Sequence, residues 1–473
     1  MPLVAGVDSS TTACKIEVRD ADTGELVATG RAPHPPTTPP RSEQDPSSWW
    51  RAFEAAATEA GLFDRHRVAA VAVAGQQHGL VVLDDDGGVI RPAKLWNDTD
   101  SAPDAEALLD GLDARAWAEA CGTVPVASLT ITKLRWLRRT EPSAYERIAR
   151  ILLPHDWLTL QLTGAHVTDR GDASGTGWWS PSEERYRPDL LALVDRTRDW
   201  DSALPTVLGP SQSAGEWSRL GAVVGPGTGD NMAAALGLGL TAGDLALSIG
   251  TSGTAFTVAD TPAVDPSGTV AGFADATGRF LPLVCTLNAT KVTDTIARLL
   301  GVDHAQFAHL ARSAPPGAEG LVLVPHFDGE RTPDRPSATG TVRGLRSDVT
   351  PEALARASVE GVVCNLLAGA DALAPGGIDS LGGSIVLVGG ASRSAAYRQI
   401  VADLTGRPVV VPVAEEMVAR GAAIQACAVL RDVHPDDVLN DWGSPATTTD
   451  DPDPRIDRHA IRAAYADAAA HEA

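Results

Sequence analysis

Lysine is scarce in this chain: only four of its 473 residues are lysine. Acidic residues outnumber basic ones by 61 to 39. The resulting net charge of −22 argues against nucleic acid as a partner and favours solubility. A Gly-x-x-x-x-Gly-Lys phosphate loop is absent, because no lysine follows a glycine anywhere. A protein this acidic must therefore concentrate its few cations and N–H donors locally if it binds phosphates.

Cysteine is also sparse, with five scattered copies and no Cys-x-x-Cys pair. This usage predicts free thiols in a reducing cytoplasm, not a disulfide or zinc framework. No apolar run reaches about 18 residues and the N-terminus lacks the basic flank of a signal peptide, so we expect neither a membrane span nor export. The length predicts two domains of about 200 to 250 residues each.

One stretch near the N-terminus organises the rest of the chain. In residues 3–18, LVAGVDSSTTACKIEV, an apolar run ends at Asp8, small hydroxylic residues follow, and a second alternating run begins. The pattern predicts a strand, a tight turn and a returning strand, with one carboxylate at the turn. Residues 245–258, LALSIGTSGTAFTV, repeat it with Gly250 in the place of Asp8. The repeat predicts a duplicated scaffold with two turns facing one ligand.

The two predicted turns are candidate phosphate sites. Backbone N–H groups in tight turns form anion-binding concavities, small side chains let oxygens approach, and hydroxyls add donors. A single Gly/Ser/Thr turn is usually only a turn, but two in matching contexts favour this function. Asp8 beside the first turn suits Mg²⁺, which prefers one or two carboxylates plus phosphate oxygens. The alternative is an aspartate that caps its own turn.

The strand–turn–strand pattern restarts near residue 242, which predicts domains of residues 1–240 and 241–473.

Three further positions carry candidate chemistry. Asp230 follows a glycine-rich loop and precedes a helix, which suits a general base held ionised by the helix dipole, although an aspartate N-cap there is commonplace. His78 lies in a glycine-flanked loop after a buried strand, which favours a substrate contact over a core histidine. Gly389 to Ser392 separates a strand from a helix and could receive a nucleotide.

Several segments, taken in order, resemble the FGGY carbohydrate kinases and, within that family, are most similar to the xylulose kinases. They are VDSSTTACK, SEQDPSSWW, AGQQHGLVVLD, RPAKLWND, TDRGDASGT, GTGDN, SIGTSGT, HFDGERTPDRPSATG and LVGGASRS. The resemblance spans Leu3 to about Leu430. It implies an α/β fold of two ribonuclease H-like domains of the actin/sugar-kinase superfamily, with ATP and sugar meeting in an interdomain cleft.

The resemblance also implies a role for each matching residue. Asp230 would be the catalytic base, and Asp8 would be catalytic through Mg²⁺ and the phosphates. The implied sugar contacts are Gln77, His78, Asp230, Asn231, Trp96 and Asn97. The implied ATP contacts are Ser10, Thr11, Thr12, Lys15, Gly250, Thr251, Ser252, Gly253, Gly389, Gly390, Ala391 and Ser394.

These roles describe an ATP- and Mg²⁺-dependent sugar kinase, with D-xylulose phosphorylated at its 5-hydroxyl in pentose catabolism. Two departures from the family pattern lie near the implied sugar site: Gln77 stands where methionine is common, and Arg41 replaces an aromatic before SEQDP. Ribulose, a pentitol or glycerol therefore stays an alternative substrate. An actin-like or chaperone-like ATPase and a sugar-binding regulator without catalysis are the alternatives from other classes. A homodimer is a further expectation.

Overall fold

The protein is described by a computed structural model, which covers residues 2–38, 40–414 and 416–471. Its strands are β1 Leu3–Ser9, β2 Ala13–Asp20, β3 Leu26–Pro33, β4 Glu43–Gln44, β5 Val68–Gly75, β6 Val81–Leu83, β7 Ala93–Lys94, β8 Arg150–Leu152, β9 Val167–Asp169, β10 Trp179–Ser180, β11 Arg185–Tyr186, β12 Thr206–Leu208, β13 Gly215–Trp217, β14 Ala222–Val224, β15 Thr228–Gly229, β16 Leu245–Ile249, β17 Gly253–Thr257, β18 Ala271–Ala274, β19 Phe280–Thr286, β20 Val322–Val324, β21 Thr341–Arg343, β22 Ile385–Val388, β23 Val409–Pro412 and β24 Thr447–Asp450.

The α-helices alternate with these strands. They are α1 Pro46–Glu59, α2 Ala102–Gly111, α3 Ala114–Cys121, α4 Thr130–Thr140, α5 Pro142–Tyr145, α6 Pro154–Thr163, α7 Arg170–Ala173, α8 Pro188–Leu191, α9 Asp230–Leu238, α10 Thr290–Leu300, α11 His304–Ser313, α12 Pro351–Ala370, α13 Ala395–Thr405, α14 Met417–Arg431, α15 Pro435–Trp442 and α16 Arg458–Ala470. Short 3₁₀ turns cover Ala318–Gly320, Asp371–Leu373, Ile378–Ser380 and Gly390–Arg393.

The chain forms two compact units, each built from three segments. The first comprises Met1–Gly239, Asp260–Leu281 and Glu416–Pro445, and the second comprises Leu240–Ala259, Pro282–Glu415 and Ala446–Ala473. Because each compact unit combines separate segments of the chain, these units do not test the predicted domains of residues 1–240 and 241–473, and that division stays a prediction.

The sheet of the first unit has the strand order β13-β14-β5-β1-β2-β3, and β15 also pairs with β5. β1 and β2 are antiparallel with Asp8 opposite Lys15, which confirms the hairpin predicted in residues 3–18. β5 runs parallel to β1. Helix α14 packs very closely on this sheet, because a Cβ added at Gly6 would lie 1.9 Å from the carbonyl oxygen of Ala419.

The sheet of the second unit follows the order β19-β17-β16-β22-β23-β24. β16 and β17 are antiparallel, which confirms the hairpin predicted in residues 245–258. β22 lies parallel to β16, with Val388 opposite Ser248. Each unit therefore contains a hairpin whose first strand has a parallel neighbour on its other side. This shared strand arrangement is what a duplicated scaffold would produce.

Helix α12 forms much of the core of the second unit, together with residues of β16, β20 and β22. In the part of the chain that the structure describes, one helical segment, Pro351–Leu373, is long and apolar enough to cross a membrane, and 89% of its most apolar window is buried inside the protein. The five cysteines all lie in described segments and are free thiols.

Candidate functional site

Three candidate segments leave the sheet of the first unit at the same edge. β1 and β15 both run parallel to β5, with Asp8 and Thr228 each opposite Ala74. The carboxyl ends of parallel strands meet at one edge of a sheet, where open α/β folds commonly bind ligands. The turn after β1, the GQQHG loop after β5 and the Asp230 segment after β15 therefore emerge side by side.

Asp8 is the buried carboxylate of the first turn, with 1% of its surface exposed. It accepts a hydrogen bond from the Ser10 hydroxyl, and its Oδ2 lies 3.2 Å from Lys15 Nζ. The same ammonium lies 2.7 Å from Glu416 Oε2. Burial raises the pKa of Asp8, and the neighbouring Lys15 partly offsets that rise. The turn thus holds a carboxylate and an ammonium together at the end of β1.

The rest of the first turn is fixed by side chains from other segments. The Thr11 hydroxyl accepts the indole N–H of Trp96 at 2.9 Å and donates to Gln76 Oε1 at 3.2 Å. The Thr11 carbonyl accepts a hydrogen bond from Gln44 Nε2 at 3.1 Å. Thr12 is exposed. Trp96, a predicted sugar contact, is therefore joined directly to the predicted phosphate turn.

Asp230 is the first residue of α9, and Gly229 is its N-cap. Asp230 Oδ1 accepts the Asn231 backbone N–H at 2.9 Å and Asn231 Nδ2 at 3.0 Å. Asn231 Nδ2 also donates to Gln77 Oε1 at 2.7 Å. The predicted base and two predicted sugar contacts thus form one hydrogen-bonded chain.

Two buried amide atoms of this region have no hydrogen-bond partner among the described residues. They are Gln77 Nε2, a donor, and Asn97 Oδ1, an acceptor. Buried polar groups are normally hydrogen-bonded, so an unpaired donor and an unpaired acceptor suit a polar ligand such as a sugar.

His78 has a left-handed backbone conformation with φ of 64°. Its ring lies 5.4 Å from that of Phe273, and the Thr130 hydroxyl donates to its carbonyl oxygen at 3.3 Å. A Cβ added at Gly175 would lie 2.4 Å from the imidazole, so glycine is needed there to accommodate the ring. A non-glycine residue with positive φ is uncommon and clusters at functional sites.

The electrostatics around Asp230 suit an acid–base role. Burial, Asp8 and Asp172, in that order, raise the pKa of Asp230 to about 7. A carboxyl group with such a pKa is ionised over part of the neutral range and can also hold a proton there.

The RPAKLWND segment is anchored by a fully buried lysine. Lys94 Nζ lies 2.7 Å from Asp98 Oδ2 and 4.0 Å from the ring centre of Trp136. These contacts fix the backbone that carries Trp96 and Asn97. Arg41, the departure noted before SEQDP, has an exposed side chain that pairs with Asp100 at 3.2 Å.

The second turn lies in the second unit and is closed by main-chain bonds. The Gly250 N–H donates to the Ser252 carbonyl at 2.9 Å, and the Gly250 carbonyl accepts from Thr290 N at 2.8 Å. The Thr251 carbonyl accepts from Ala289 N at 3.1 Å. The turn therefore joins β16 to β17, which begins at Gly253, and is bonded to the start of α10.

The predicted adenosine segment follows β22, the parallel neighbour of β16. Gly389 has φ of 85°, and a Cβ added there would lie 2.7 Å from the carbonyl oxygen of Ile249. Gly390 and Ala391 lie in the next 3₁₀ turn, and Ser394 is the N-cap of α13. The structure thus brings the predicted adenosine segment and the second phosphate turn to one edge of the second unit's sheet.

The described residues hold no group of three or more histidine, cysteine, aspartate or glutamate side chains placed to bind a metal. Mg²⁺ needs no such cage, because it is usually held by one or two carboxylates together with substrate phosphates and water. A single buried carboxylate at a hydroxyl-rich turn, as Asp8 provides, is a donor set of that kind.

Sequence reasoning missed several residues that the fold brings to this site. Glu416 and Gln44 contact the first turn from distant segments. Beneath the Asp230 loop, His155 lies 2.8 Å from Asp172 and 3.7 Å from Asp169. The TDRGDASGT segment was noted as a family match, but its aspartates carry no predicted role. For His155 and Asp169, the available signal was a polar residue at or just after the end of a short strand, β8 or β9.

Comparison with known proteins decides the family. The model of the N-terminal domain of the FGGY family of carbohydrate kinases matches residues 3–237, and that of the C-terminal domain matches residues 245–430. The chain belongs to the FGGY family of carbohydrate kinases. The fold class and the activity implied by the resemblance are therefore confirmed: an α/β, two-domain sugar-kinase fold of the actin-like kind and an ATP-dependent carbohydrate kinase.

Relatives of this FGGY kinase cover nearly all of it. A xylulose kinase from Streptomyces coelicolor is 46% identical over 454 residues, covering 94% of this chain and 92% of that protein. One from Haemophilus influenzae is 33% identical and covers 89% of both. The crystal structure of a xylulose kinase from Bifidobacterium adolescentis is 42% identical, with a TM-score of 0.86 and 99% of both chains covered.

Proposed function

We propose that this FGGY kinase transfers the γ-phosphoryl group of ATP to the 5-hydroxyl of D-xylulose, as a cytoplasmic step of pentose catabolism. Its similarity to the three xylulose kinases described above supports this substrate. The observation that carries the proposal is the hydrogen-bonded chain Asp230–Asn231–Gln77, which ends in an unpaired buried donor. An ATPase without a sugar substrate has no need of such a chain.

Asp230 is the proposed base. Its carboxylate takes the proton of the sugar hydroxyl as that oxygen forms a bond to the γ-phosphorus, while the bond from phosphorus to the bridging oxygen breaks and ADP leaves. The Asn231 amide and backbone N–H hold the carboxylate by two hydrogen bonds, which orients it. A pKa of about 7 lets Asp230 accept this proton near neutral pH.

Gln77, His78, Trp96, Asn97 and Asn231 are the proposed sugar contacts. Their side chains are amides, an imidazole and an indole. Such neutral donors and acceptors suit the hydroxyls of an uncharged sugar, since a polar site rejects analogues that leave its groups unpaired. A sibling activity on ribulose, a pentitol or glycerol is the second candidate, because Gln77 departs from the family pattern.

Turns in both units are the proposed ATP contacts. The first unit offers Lys15 and the hydroxylic residues Ser10, Thr11 and Thr12, and the second offers Gly250–Gly253 together with Gly389, Gly390, Ala391 and Ser394. Their N–H groups and hydroxyls suit phosphate oxygens. Asp8 is the proposed residue for Mg²⁺, which when bound neutralises charge on the phosphoryl oxygens.

A substrate panel tests the proposal. ATP consumption is measured with Mg²⁺ and D-xylulose, D-ribulose, glycerol, ribitol or xylitol, and without any sugar. We expect kcat/KM to be largest for D-xylulose. A higher value for another sugar would support the second candidate, and an equal rate without sugar would contradict both. Size-exclusion chromatography with light scattering tests the homodimer, which stays a prediction.

Gln77→Met sharpens the panel. The substitution removes Gln77 Nε2, the unpaired donor, and Gln77 Oε1, which accepts the hydrogen bond from Asn231. We therefore expect the order of kcat/KM values among the sugars to change. An unchanged order would show that Gln77 does not select the substrate.

A further inference from the structure

A buried hydrogen bond joins the Asp230 segment to an element that has no assigned function. The Thr228 hydroxyl donates to Asp169 Oδ2 at 2.7 Å. Thr228 has no exposed surface and Asp169 has 3%. Thr228 lies two residues before Asp230, and Asp169 ends β9 in the TDRGDASGT segment. The bond therefore fixes β15, the two-residue strand from which α9 and its first residue continue.

Asp169 makes this bond from a rigid position. Its Oδ2 also accepts the Gly171 N–H at 2.8 Å, and its Oδ1 accepts the Asp172 N–H at 2.9 Å. Two backbone donors and one hydroxyl thus converge on a single carboxylate. A buried carboxylate with several fixed donors is pre-organised, because its partners leave it no alternative orientation.

A buried histidine lies among this carboxylate and two others. His155 Nε2 lies 3.7 Å from Asp169 Oδ1 and 3.1 Å from Asp156 Oδ1, while Nδ1 lies 2.8 Å from Asp172 Oδ2. Burial disfavours the imidazolium, but the three carboxylates outweigh it and raise the pKa of His155 to about 9. His155 therefore holds its proton more firmly than an exposed histidine, while burial raises the pKa of all three acids, that of Asp172 to about 7.

His155 also packs against both loops that carry the proposed chemistry, with its ring at one and its Cβ at the other. A Cβ added at Gly227 would lie 2.6 Å from His155 Cδ2, and one added at Gly75 would lie 3.0 Å from His155 Cβ. Gly75 leads into the GQQHG loop, and Gly227 leads into Thr228 and Asp230. Because β15 pairs with the end of β5, the imidazole packs where the two loops separate.

We propose that Thr228 and Asp169 are positioning residues for phosphoryl transfer: Asp169, packed beside the His155 ring, fixes β15 through the Thr228 hydroxyl and so aims the Asp230 carboxylate at the sugar hydroxyl. The inference rests on the proposed role of Asp230. A general base must lie within hydrogen-bond reach of the proton it removes, and a small misplacement costs rate more than it costs substrate affinity. Neither residue is assigned a contact with a substrate.

Substitutions of Thr228 in the full-length enzyme test this inference. Thr228→Val keeps the shape and removes the hydroxyl, so we expect kcat to fall about tenfold or more, while KM for D-xylulose and for ATP changes less than about threefold. Thr228→Ser keeps the hydroxyl and should restore kcat to within about threefold of the unsubstituted enzyme. Asp169→Asn, which replaces an acceptor oxygen by a donor, should resemble Thr228→Val, and the double variant should be no slower than the slower single one.

Thr277→Val is the matched control. It removes a buried hydroxyl that donates to Asp275 Oδ2 at 2.6 Å, a bond in which neither Thr228 nor Asp169 takes part. We expect it to lower the melting temperature while kcat stays within about twofold. If Thr228→Val does not fold, Thr228→Cys, which keeps a weak donor, should give an intermediate kcat.

The outcomes separate this inference from the proposed function. Normal kcat in Thr228→Val, or a loss that Thr228→Ser does not restore, overturns the positioning role while Asp230 keeps its own. A change confined to melting temperature shows that the hydrogen bond only stabilises the fold. Normal kcat in Asp230→Asn would instead overturn the proposed base, and this inference with it.

Discussion

The two hairpin turns share a topology and differ in how they are built. Each connects antiparallel strands, and the first strand of each has a parallel neighbour. The first turn holds a buried carboxylate, Asp8, in contact with Ser10 and Lys15. The second has Gly250 at the corresponding position and is closed by main-chain bonds.

The two turns therefore share a backbone arrangement but differ in their chemistry. A charged turn can interact with a metal or with the transferred phosphoryl group, whereas a neutral turn offers N–H groups and hydroxyls to phosphate oxygens. Side-chain substitutions should therefore be severe at the first turn and mild at the second, where backbone conformation matters more.

The largest expected effect comes from Asp8→Asn. The substitution preserves shape and removes the charge, so we expect kcat to fall by roughly 10²-fold or more, as for other losses of transition-state charge stabilisation. Lys15 keeps its contact with Glu416, so the turn should still fold. Thr251→Ala at the second turn is the comparison: Thr251 is exposed and bonds α10 through its carbonyl, so kcat should change only a few-fold. Equal losses of kcat in the two variants, measured in steady-state assays, would contradict the difference in chemistry between the two turns.

The second prediction concerns the pH dependence that the charged turn imposes on the base. Burial, then Asp8, then Asp172 raise the pKa of Asp230 to about 7. The base must be ionised, so kcat/KM should be at its plateau above about pH 8 and fall about tenfold per pH unit below about pH 6. Measurement of kcat/KM between pH 5 and pH 9 checks this.

Asp172→Asn is the control for that profile. Burial raises the pKa of Asp172 itself to about 7, so Asp172 carries a like charge near Asp230 only in the upper part of this pH range. The substitution removes that charge but leaves an acceptor for His155 Nδ1, so the upper part of the acid limb should move to lower pH. Two results would show that Asp8 and Asp172 do not act on the base. One is an acid limb of the kcat/KM profile that stays in place in Asp172→Asn, and the other is an acid limb that already lies near pH 4 in the unsubstituted enzyme.

The smallest expected effects are in the second unit and concern backbone conformation. Gly389→Ala introduces a Cβ at φ of 85° and ψ of −177°, a region that is essentially restricted to glycine, 2.7 Å from the carbonyl of Ile249. It should reduce the free energy of unfolding by about 1–3 kcal/mol and weaken ATP binding. At Gly250 a Cβ would meet its nearest atom, the Ser252 carbonyl oxygen, at 3.7 Å, so Gly250→Ala should leave stability unchanged. Thermal unfolding and ATP titration measure both, and a reversed order would contradict the prediction.

The parts of this fold that depend on local pattern could be predicted from the sequence. Alternating apolar residues around a short hydroxylic turn fixed both hairpins, because each pattern is complete within about 16 residues. The place of Asp230 before a helix suggested a base from the sequence alone, whereas the role of Gln77 came from family resemblance. No periodicity shows that residues 77 and 230 meet. The position of Asp230 within α9 differs slightly from the expected N-cap, because Gly229 takes that place.

The rest depends on long-range packing, which a single sequence does not encode locally. Lys15 meets Glu416 because the segment before α14 returns to the first unit some 400 residues later in the chain. His155 and Asp169 converge because α6 and β9 pack below β5 and β15. The sequence around each of these residues does not show which other residues it meets, so only the tertiary structure reveals the cluster.

The central claim is that Asp230 removes the proton of the sugar hydroxyl. The most direct measurement compares Asp230→Asn with the unsubstituted enzyme in steady-state turnover of D-xylulose and in calorimetric titration of the sugar. The account predicts that kcat falls by roughly 10²-fold or more while the sugar dissociation constant changes less than about threefold. Near-normal kcat in a folded variant that binds the sugar would contradict it.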